Sequence, residues 1–136
     1  MQDCIFCKIV QGKVPARIIA QSERAMAFLD AFPLAAGHTL VVPKAHHVKV
    51  QDMGKEDSEA VFALVHEIVQ KVESAAGTTA SLIAVHNGRG AGQEVPHVHV
   101  HIIPRKAGDG AGPVHSMFRK PKVTAEEMDA ILSKMA

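Results

Sequence analysis

The segment His97-Val98-His99-Val100-His101-Ile102-Ile103 constrains this chain more than any other. Polar and apolar residues alternate strictly over its first six positions. Successive side chains of a β-strand point to opposite faces. The spacing therefore predicts a strand with His97, His99 and His101 on one face and Val98, Val100 and Ile102 on the other, anchored in a core. Three neighbouring imidazoles are a poor choice for a merely solvated outer face, which is the plainest reading. Two chemical readings stand beside it. The rings form a metal site with a further ligand from elsewhere. Alternatively, one ring is a nucleophile, oriented by its neighbours, that attacks an electrophile such as phosphorus.

The rest of the composition bounds where this chemistry sits. Nine histidines in 136 residues accompany a complete lack of Trp and Tyr, and imidazole is the side chain best matched to proton transfer and ligation near neutral pH. The length predicts one domain over 1–136, with its core over about 4–105 and an extension over 106–136. Lys+Arg 15 against Asp+Glu 14 leaves a net charge of +1, which gives no reason to expect nucleic-acid or membrane-surface binding. No apolar run approaches the ~18 residues that a bilayer span needs. The opening residues have neither the basic start nor the apolar stretch of a signal peptide. A cytoplasmic protein is expected.

Hydrophobic patterning predicts an α+β fold, with five strands in an antiparallel sheet, a short N-terminal helix, one long helix and a C-terminal helix. The short helix runs from Cys4 to Gln11, with Ile5, Ile9 and Val10 as its apolar side and Gly12 as its stop. Strands are expected at Arg17 to Gln21, Ala25 to Asp30, His38 to Val42, Ser81 to Val85 and His97 to Ile103, the last ended by Pro104. Val61, Phe62, Leu64, Val65, Ile68, Val69 and Val72 recur at helical spacing between Lys55 and Ala76, and Gly77 stops that helix. Thr124 followed by Glu127 reads as a capping box for a helix from Thr124 to Met135. Three glycines within Asn87 to Gly92 suggest a tight functional loop. Cys4-x-x-Cys7 is the only cysteine pair, and on its own it is a redox couple, half of a metal site or two ordinary thiols.

The histidine segment, with φ for an apolar residue, fits His-φ-His-φ-His-φ-φ and so resembles the histidine triad (HIT) superfamily. Ala91-Gly92-Gln93-Glu94-Val95-Pro96, Pro104-Arg105, Phe28-Leu29-Asp30, Asn87 and the Gly37-His38-Thr39-Leu40-Val41-Val42-Pro43-Lys44 run are similar to its Hint-like branch, especially the bacterial members. The likeness extends from about Cys4 to Arg105. It implies a nucleotide hydrolase acting at the α-phosphorus, with a purine nucleoside phosphoramidase as the leading activity. His99 would be the nucleophile and would form a nucleotidyl-histidine that water then cleaves. His97 would orient His99 through its backbone carbonyl, and His101 would help hold the phosphate. His38, also among the nucleotide-site residues, would support the strand and its neighbours. Backbone N–H groups of Gly92, Gln93 and Glu94 and the side-chain amide of Asn87 would line the phosphate site, Asp30 would hold the ribose hydroxyls, and Ile5, Phe6, Ile9 and Phe28 would enclose the purine.

Many Hint-like proteins have Ser where this chain has Glu94. A hydroxyl donates a hydrogen bond and an ionised carboxylate does not, so the leaving-group preference is open. The resemblance also implies that Cys4, Cys7, His46 and His97 can form a closed set for a structural zinc, with no metal required for the chemistry. It implies a homodimer whose sheets join across the two-fold axis, with the tail reaching the partner's site. His47, His66, His86 and His115 are left as surface or supporting residues. The rival readings are a dinucleoside polyphosphate hydrolase, a nucleotide-binding regulatory module with slow turnover, and a zinc hydrolase that uses the three histidines directly.

Overall fold

The computed structural model describes residues 3–136. The helices are α1 (Ile5–Val10), α2 (Lys55–Ala75) and α3 (Ala125–Met135). The strands are β1 (Ile18–Gln21), β2 (Ala25–Leu29), β3 (Thr39–Pro43), β4 (Ala80–Ala84) and β5 (Val100–Arg105). They form one antiparallel sheet in the order β1-β2-β3-β5-β4. Among the described residues no helix is long and apolar enough to cross a membrane.

The register sorts the side chains into two faces. Phe28 pairs with Leu40, Leu40 with His101 and His101 with Ala84, so these four lie in one row across the sheet. The next row is Ala27, Val41 and Val100. That second face meets α2, which buries Val61, Leu64, Val65, Ile68 and Val72 against Ala27, Val41, Val98, Val100 and Ile102. The first face meets α1, where Cys4, Phe6, Cys7 and Ile9 cover Met26, Phe28, Leu40 and Val42. With α2 closing one face, the other is left for a short helix and an open site.

Gly77, at φ +74°, stops α2 as expected. Its N–H donates to the Ser74 carbonyl and the Thr78 N–H to that of Glu73, both at 3.0 Å, a paired closure that satisfies the last carbonyls. In the first turn of α2, Asp57 accepts from Arg24 at 3.0 Å and lies 2.8 Å from Nε2 of His47. The His47 carbonyl then accepts the Val98 N–H at 2.7 Å. This chain of contacts ties the helix start to the peptide between His97 and His99, and gives His47 a supporting role.

Several expectations need correction. Phe62 is exposed, and so is Ile5, so α1 packs through Phe6, Cys7 and Ile9 instead. The histidine strand begins at Val100 rather than His97. Pairing with β3 stops at Val41 opposite Val100, and Pro43 further along has no N–H to extend the ladder. Residues 97–99 are held by side-chain and loop contacts. The strand also continues through Pro104, which lies past the last β3 pair and is matched only to Ser81. On that open side a missing N–H leaves no partner unsatisfied. At α3, the Thr124 hydroxyl oxygen accepts from the Glu127 N–H at 3.1 Å. The Glu127 carboxylate turns to the same hydroxyl at 3.3 Å.

Candidate active site

A cavity of about 560 Å³ opens on the α1 face of the sheet. Phe6, Ile9, Phe28 and Leu40 make its apolar floor, and Ile5 also lines it. Phe32, 88 % exposed, and Leu34, 76 % exposed, stand at its rim. His38, His86, His99 and His101 line the polar part with Asp30, Gly92 and Glu94. The strand row Phe28-Leu40-His101 explains this layout, because one face carries apolar floor and imidazole side by side.

Hydrogen-bond partners fix the tautomers. Nδ1 of His99 lies 2.8 Å from the His97 carbonyl, which can only accept, so Nδ1 carries the proton and Nε2 keeps its lone pair. Phe6 packs edge-on against the His99 ring, with centroids 5.1 Å apart, and steadies it. Nδ1 of His38 accepts the Leu34 N–H at 3.0 Å, so the His38 proton is on Nε2. Nε2 then donates to Nδ1 of His101 at 2.9 Å. The His101 proton is consequently on Nε2, a buried atom with no protein partner among the described residues. Asp30 takes the Phe32 N–H on Oδ1 at 2.9 Å and leaves Oδ2 3.6 Å from His38.

Burial pushes His38, His99 and His101 below the ordinary imidazole range, because a charged ring loses hydration there. The His97 carbonyl favours a protonated His99 ring, but burial outweighs it. His101 falls to about 4, with the neighbouring His99, His38 and His86 rings adding to the effect of burial. These rings are neutral near pH 7. The site thus offers an imidazole lone pair at His99 beside an N–H donor at His101, the pairing required to attack an electrophile and bind the oxygens on it.

Two expected site residues, Asn87 and Gln93, are placed elsewhere, and His97 divides its groups between two sites. The His97 ring is outside the cavity walls and turns to the cysteines. Although residues 97–99 are not paired in a ladder, the alternation continues through them, with Val98 in the α2-side core beside Val100 and Ile102 and the His97 and His99 rings on the α1 side against Phe6. The rings of His97, His99 and His101 do not offer nitrogens to a common point, which removes the basis for a three-histidine metal site. Asn87 is also outside. Its Oδ1 accepts from the Val50 N–H at 2.8 Å and its Nδ2 donates to Gln51 at 2.9 Å. Gln93 is buried, but its amide folds back into the loop. It accepts from the Gly88 N–H at 2.8 Å and donates to the Val48 and Val95 carbonyls at 2.8 and 3.0 Å. Conversely, His86 faces the cavity. Ala84 pairs with His101, so the period of two carries residue 86 to the same face and residue 87 away from it.

Cys4, Cys7, His46 and His97 come together beneath α1, each offering one ligand atom within 4.8 Å of the others. Nδ1 of His97 is 3.4 Å from Sγ of Cys4 and 3.6 Å from Sγ of Cys7, and Nδ1 of His46 is 3.3 Å from Sγ of Cys7. A tetrahedral zinc with ordinary bond lengths has S···N edges of about 3.5 Å. Nε2 of His97 donates to the Pro43 carbonyl at 2.8 Å, which turns the Nδ1 lone pair toward the sulfurs. Burial and the adjacent Cys4 push the Cys7 thiol up, so a thiolate there calls for a cation. The donor set fits zinc in chemistry and spacing.

Comparison with known proteins agrees with this geometry. A family model described as the HIT domain matches residues 11–108. An adenosine 5'-monophosphoramidase of Schizosaccharomyces pombe is 42% identical over 102 residues, covering 75% of this chain and 74% of its own. A Streptococcus mutans protein of solved structure superposes with a TM-score of 0.89 at 32% identity, covering 99% of this chain and 84% of its own. A zinc-bound histidine triad family protein of Mycobacterium smegmatis superposes with a TM-score of 0.76 at 30% identity, covering 99% of both chains. With the triad, the five-stranded sheet and the cavity all in place, the chain belongs to the HIT family of nucleotide-binding hydrolases and is of the bacterial type.

Proposed function

We propose that this protein is a purine nucleoside phosphoramidase that releases a nucleoside 5'-monophosphate through a nucleotidyl-His99 intermediate. The observation that carries the reading is the His99 ring. Its Nδ1–H is held by the His97 carbonyl, and the ring itself lines a cavity with an apolar floor and a carboxylate. The name of the Schizosaccharomyces pombe relative supports the choice of leaving group. In this reading the base packs on Phe6, Ile9 and Phe28, and Asp30 accepts from the ribose hydroxyls. His99 Nε2 attacks the α-phosphorus. His101 Nε2–H and the Glu94 N–H meet the charge that grows on the phosphate oxygens, the Gly92 and Gln93 N–H groups donating instead to the Arg89 and Gly88 carbonyls. Glu94, exposed at the mouth, favours a leaving group that departs as an amine.

The test is a rapid-quench experiment with an adenosine phosphoramidate, followed by intact-mass measurement. An added adenylyl mass on wild type, absent in His99→Ala, supports the reading. Turnover that survives in His99→Ala without an adduct refutes it. Running a diadenosine polyphosphate in parallel separates this activity from the rival hydrolase, since the faster substrate identifies the preferred leaving group.

The same reading includes a structural zinc at Cys4, Cys7, His46 and His97, supported by the contacts above and by the zinc-bound relative. It also includes a homodimer. Met128, Ile131, Leu132 and Met135 of α3 are exposed, as is Ile83 on the edge strand β4, and a second copy would cover such surfaces. Analytical ultracentrifugation decides between one copy and two.

A further inference from the structure

His86 is the one imidazole in the cavity that the mechanism above does not use. It stands two residues beyond Ala84, the β4 partner of His101, and its ring meets that of His101 edge-on with centroids 5.4 Å apart. It also lies against Gly92, where a Cβ would come 3.6 Å from its Cδ2. Gly92 is at φ +99°, a conformation that glycine adopts without strain. The loop thus passes close beside the ring.

The other rings in the cavity are committed. His38 uses Nδ1 for the Leu34 N–H and Nε2 for His101. His99 uses Nδ1 for the His97 carbonyl and needs Nε2 for attack. His101 is half-buried, holds its proton on a shielded Nε2 and has Nδ1 occupied. His86 alone makes no hydrogen bond through either ring nitrogen among the described residues, and it is only partly buried. It can therefore take a proton from solvent and present it inside the cavity. The other ionisable groups that line the same space are Glu94, Asp30 and Arg17.

Resting on the phosphoramidase reading, we infer that His86 is the general acid–base of the reaction. In the first step the His99 Nε2 lone pair forms a bond to phosphorus, the P–N bond to the leaving amine breaks, and protonated His86 gives its proton to that nitrogen. In the second step water attacks phosphorus, the bond to His99 Nε2 breaks, and His86 takes the proton from the water. The sum is phosphoramidate plus water to monophosphate plus amine, with His86 returned to its starting state. An amine leaves poorly without a proton, and a well-placed acid contributes about 10²–10⁴-fold.

The experiment compares two leaving groups in wild type and His86→Asn. One substrate is an adenosine phosphoramidate of an alkyl amine, which needs a proton to depart. The other is the p-nitrophenyl ester of adenosine monophosphate, whose leaving group departs as an anion. The ratio of amide to ester rates of adduct formation, read by rapid quench ahead of the shared hydrolysis step, is expected to fall about 10²-fold in the variant, the lower end of the range for general acid catalysis. Equal losses on both substrates, or no loss on either, overturn the assignment, because a structural or phosphate-binding role does not discriminate between leaving groups. His86→Gln provides the same comparison if the first variant fails to fold. If wild type forms no adenylyl adduct with either substrate, the phosphoramidase reading itself fails and takes this one with it.

Discussion

The Leu34 N–H, donating to Nδ1 of His38 at 3.0 Å, decides where the proton sits on His101, a ring it does not touch. A single backbone amide sets the tautomer of one imidazole, and that imidazole sets the next. Replacing His38 by Phe keeps the shape but removes the relay. His101 is then free to place its proton on either nitrogen, and turnover should fall about 10- to 100-fold, less than the ~10²–10³-fold of a transition-state donor removed outright. Nitrogen-15 spectra of the histidine rings provide the check. Wild-type His101 should show a protonated Nε2 and a bare Nδ1, whereas His38→Phe should show a mixture.

Stability should depend on pH through His101. Its folded pKa is about 4, against the ordinary imidazole value of 6.5. The unfolded chain therefore binds more protons between those limits, and stability rises with pH across them. The contribution is complete above pH 6.5 and is lost as pH falls toward 4. Its size is roughly 1–2 kcal/mol, after reducing ~1.4 kcal/mol per unit of pKa for the partial exposure of the ring. Urea titrations at the two ends of this window should show a smaller difference for His101→Asn than for wild type. An equal difference would remove His101 as the source.

Gln93 should prove more important for stability than for direct contact with substrate. Its amide satisfies Gly88 N–H and two carbonyls from within a buried position. Gln93→Leu leaves these groups unpaired and should cost about 2–4 kcal/mol. Gln93→Glu should be worse, because it sets an acceptor against the Val48 and Val95 carbonyls. Denaturant midpoints of the two variants test the order.

Zinc uptake should be one ion per chain, should disappear in Cys7→Ser, and should persist in His99→Ala. Chelation should lower the melting temperature but leave adduct formation on still-folded protein, since the ligand set does not include the nucleophile. Metal analysis beside rapid-quench mass spectra gives both readings. A chelated protein that is folded but forms no adduct would count against a purely structural role.

Much of this was legible before any coordinates. The period of two in the histidine segment and of about 3.6 in α2 gave the elements, and the Thr124 and Gly77 signals gave helix ends. What pattern alone cannot supply is register. Whether residue 86 or residue 87 enters the cavity depends on Ala84 standing opposite His101, a relation between two strands. At His97 the alternation places three rings on one face, but it does not say that the first of them turns to the cysteines of α1 and the other two to the cavity. Gln93 is expected at the phosphate through its N–H, which donates instead to the Gly88 carbonyl at 3.2 Å. Its side chain was claimed by backbone groups on the far side of its own loop, which no local pattern records. For α3 the helix was readable and its surroundings were not, since its apolar side chains Met128, Ile131, Leu132 and Met135 stand exposed.

Residue 97 sends its ring to the cysteines and its carbonyl to His99. Every amino acid has the second of these groups and only histidine, at this place, supplies the first. In evolutionary terms the two duties are unequally protected. A lineage that changes this side chain would lose one ligand of the proposed zinc site and still keep the carbonyl that orients the His99 ring, so the cluster beneath α1 can vary without disturbing that orientation.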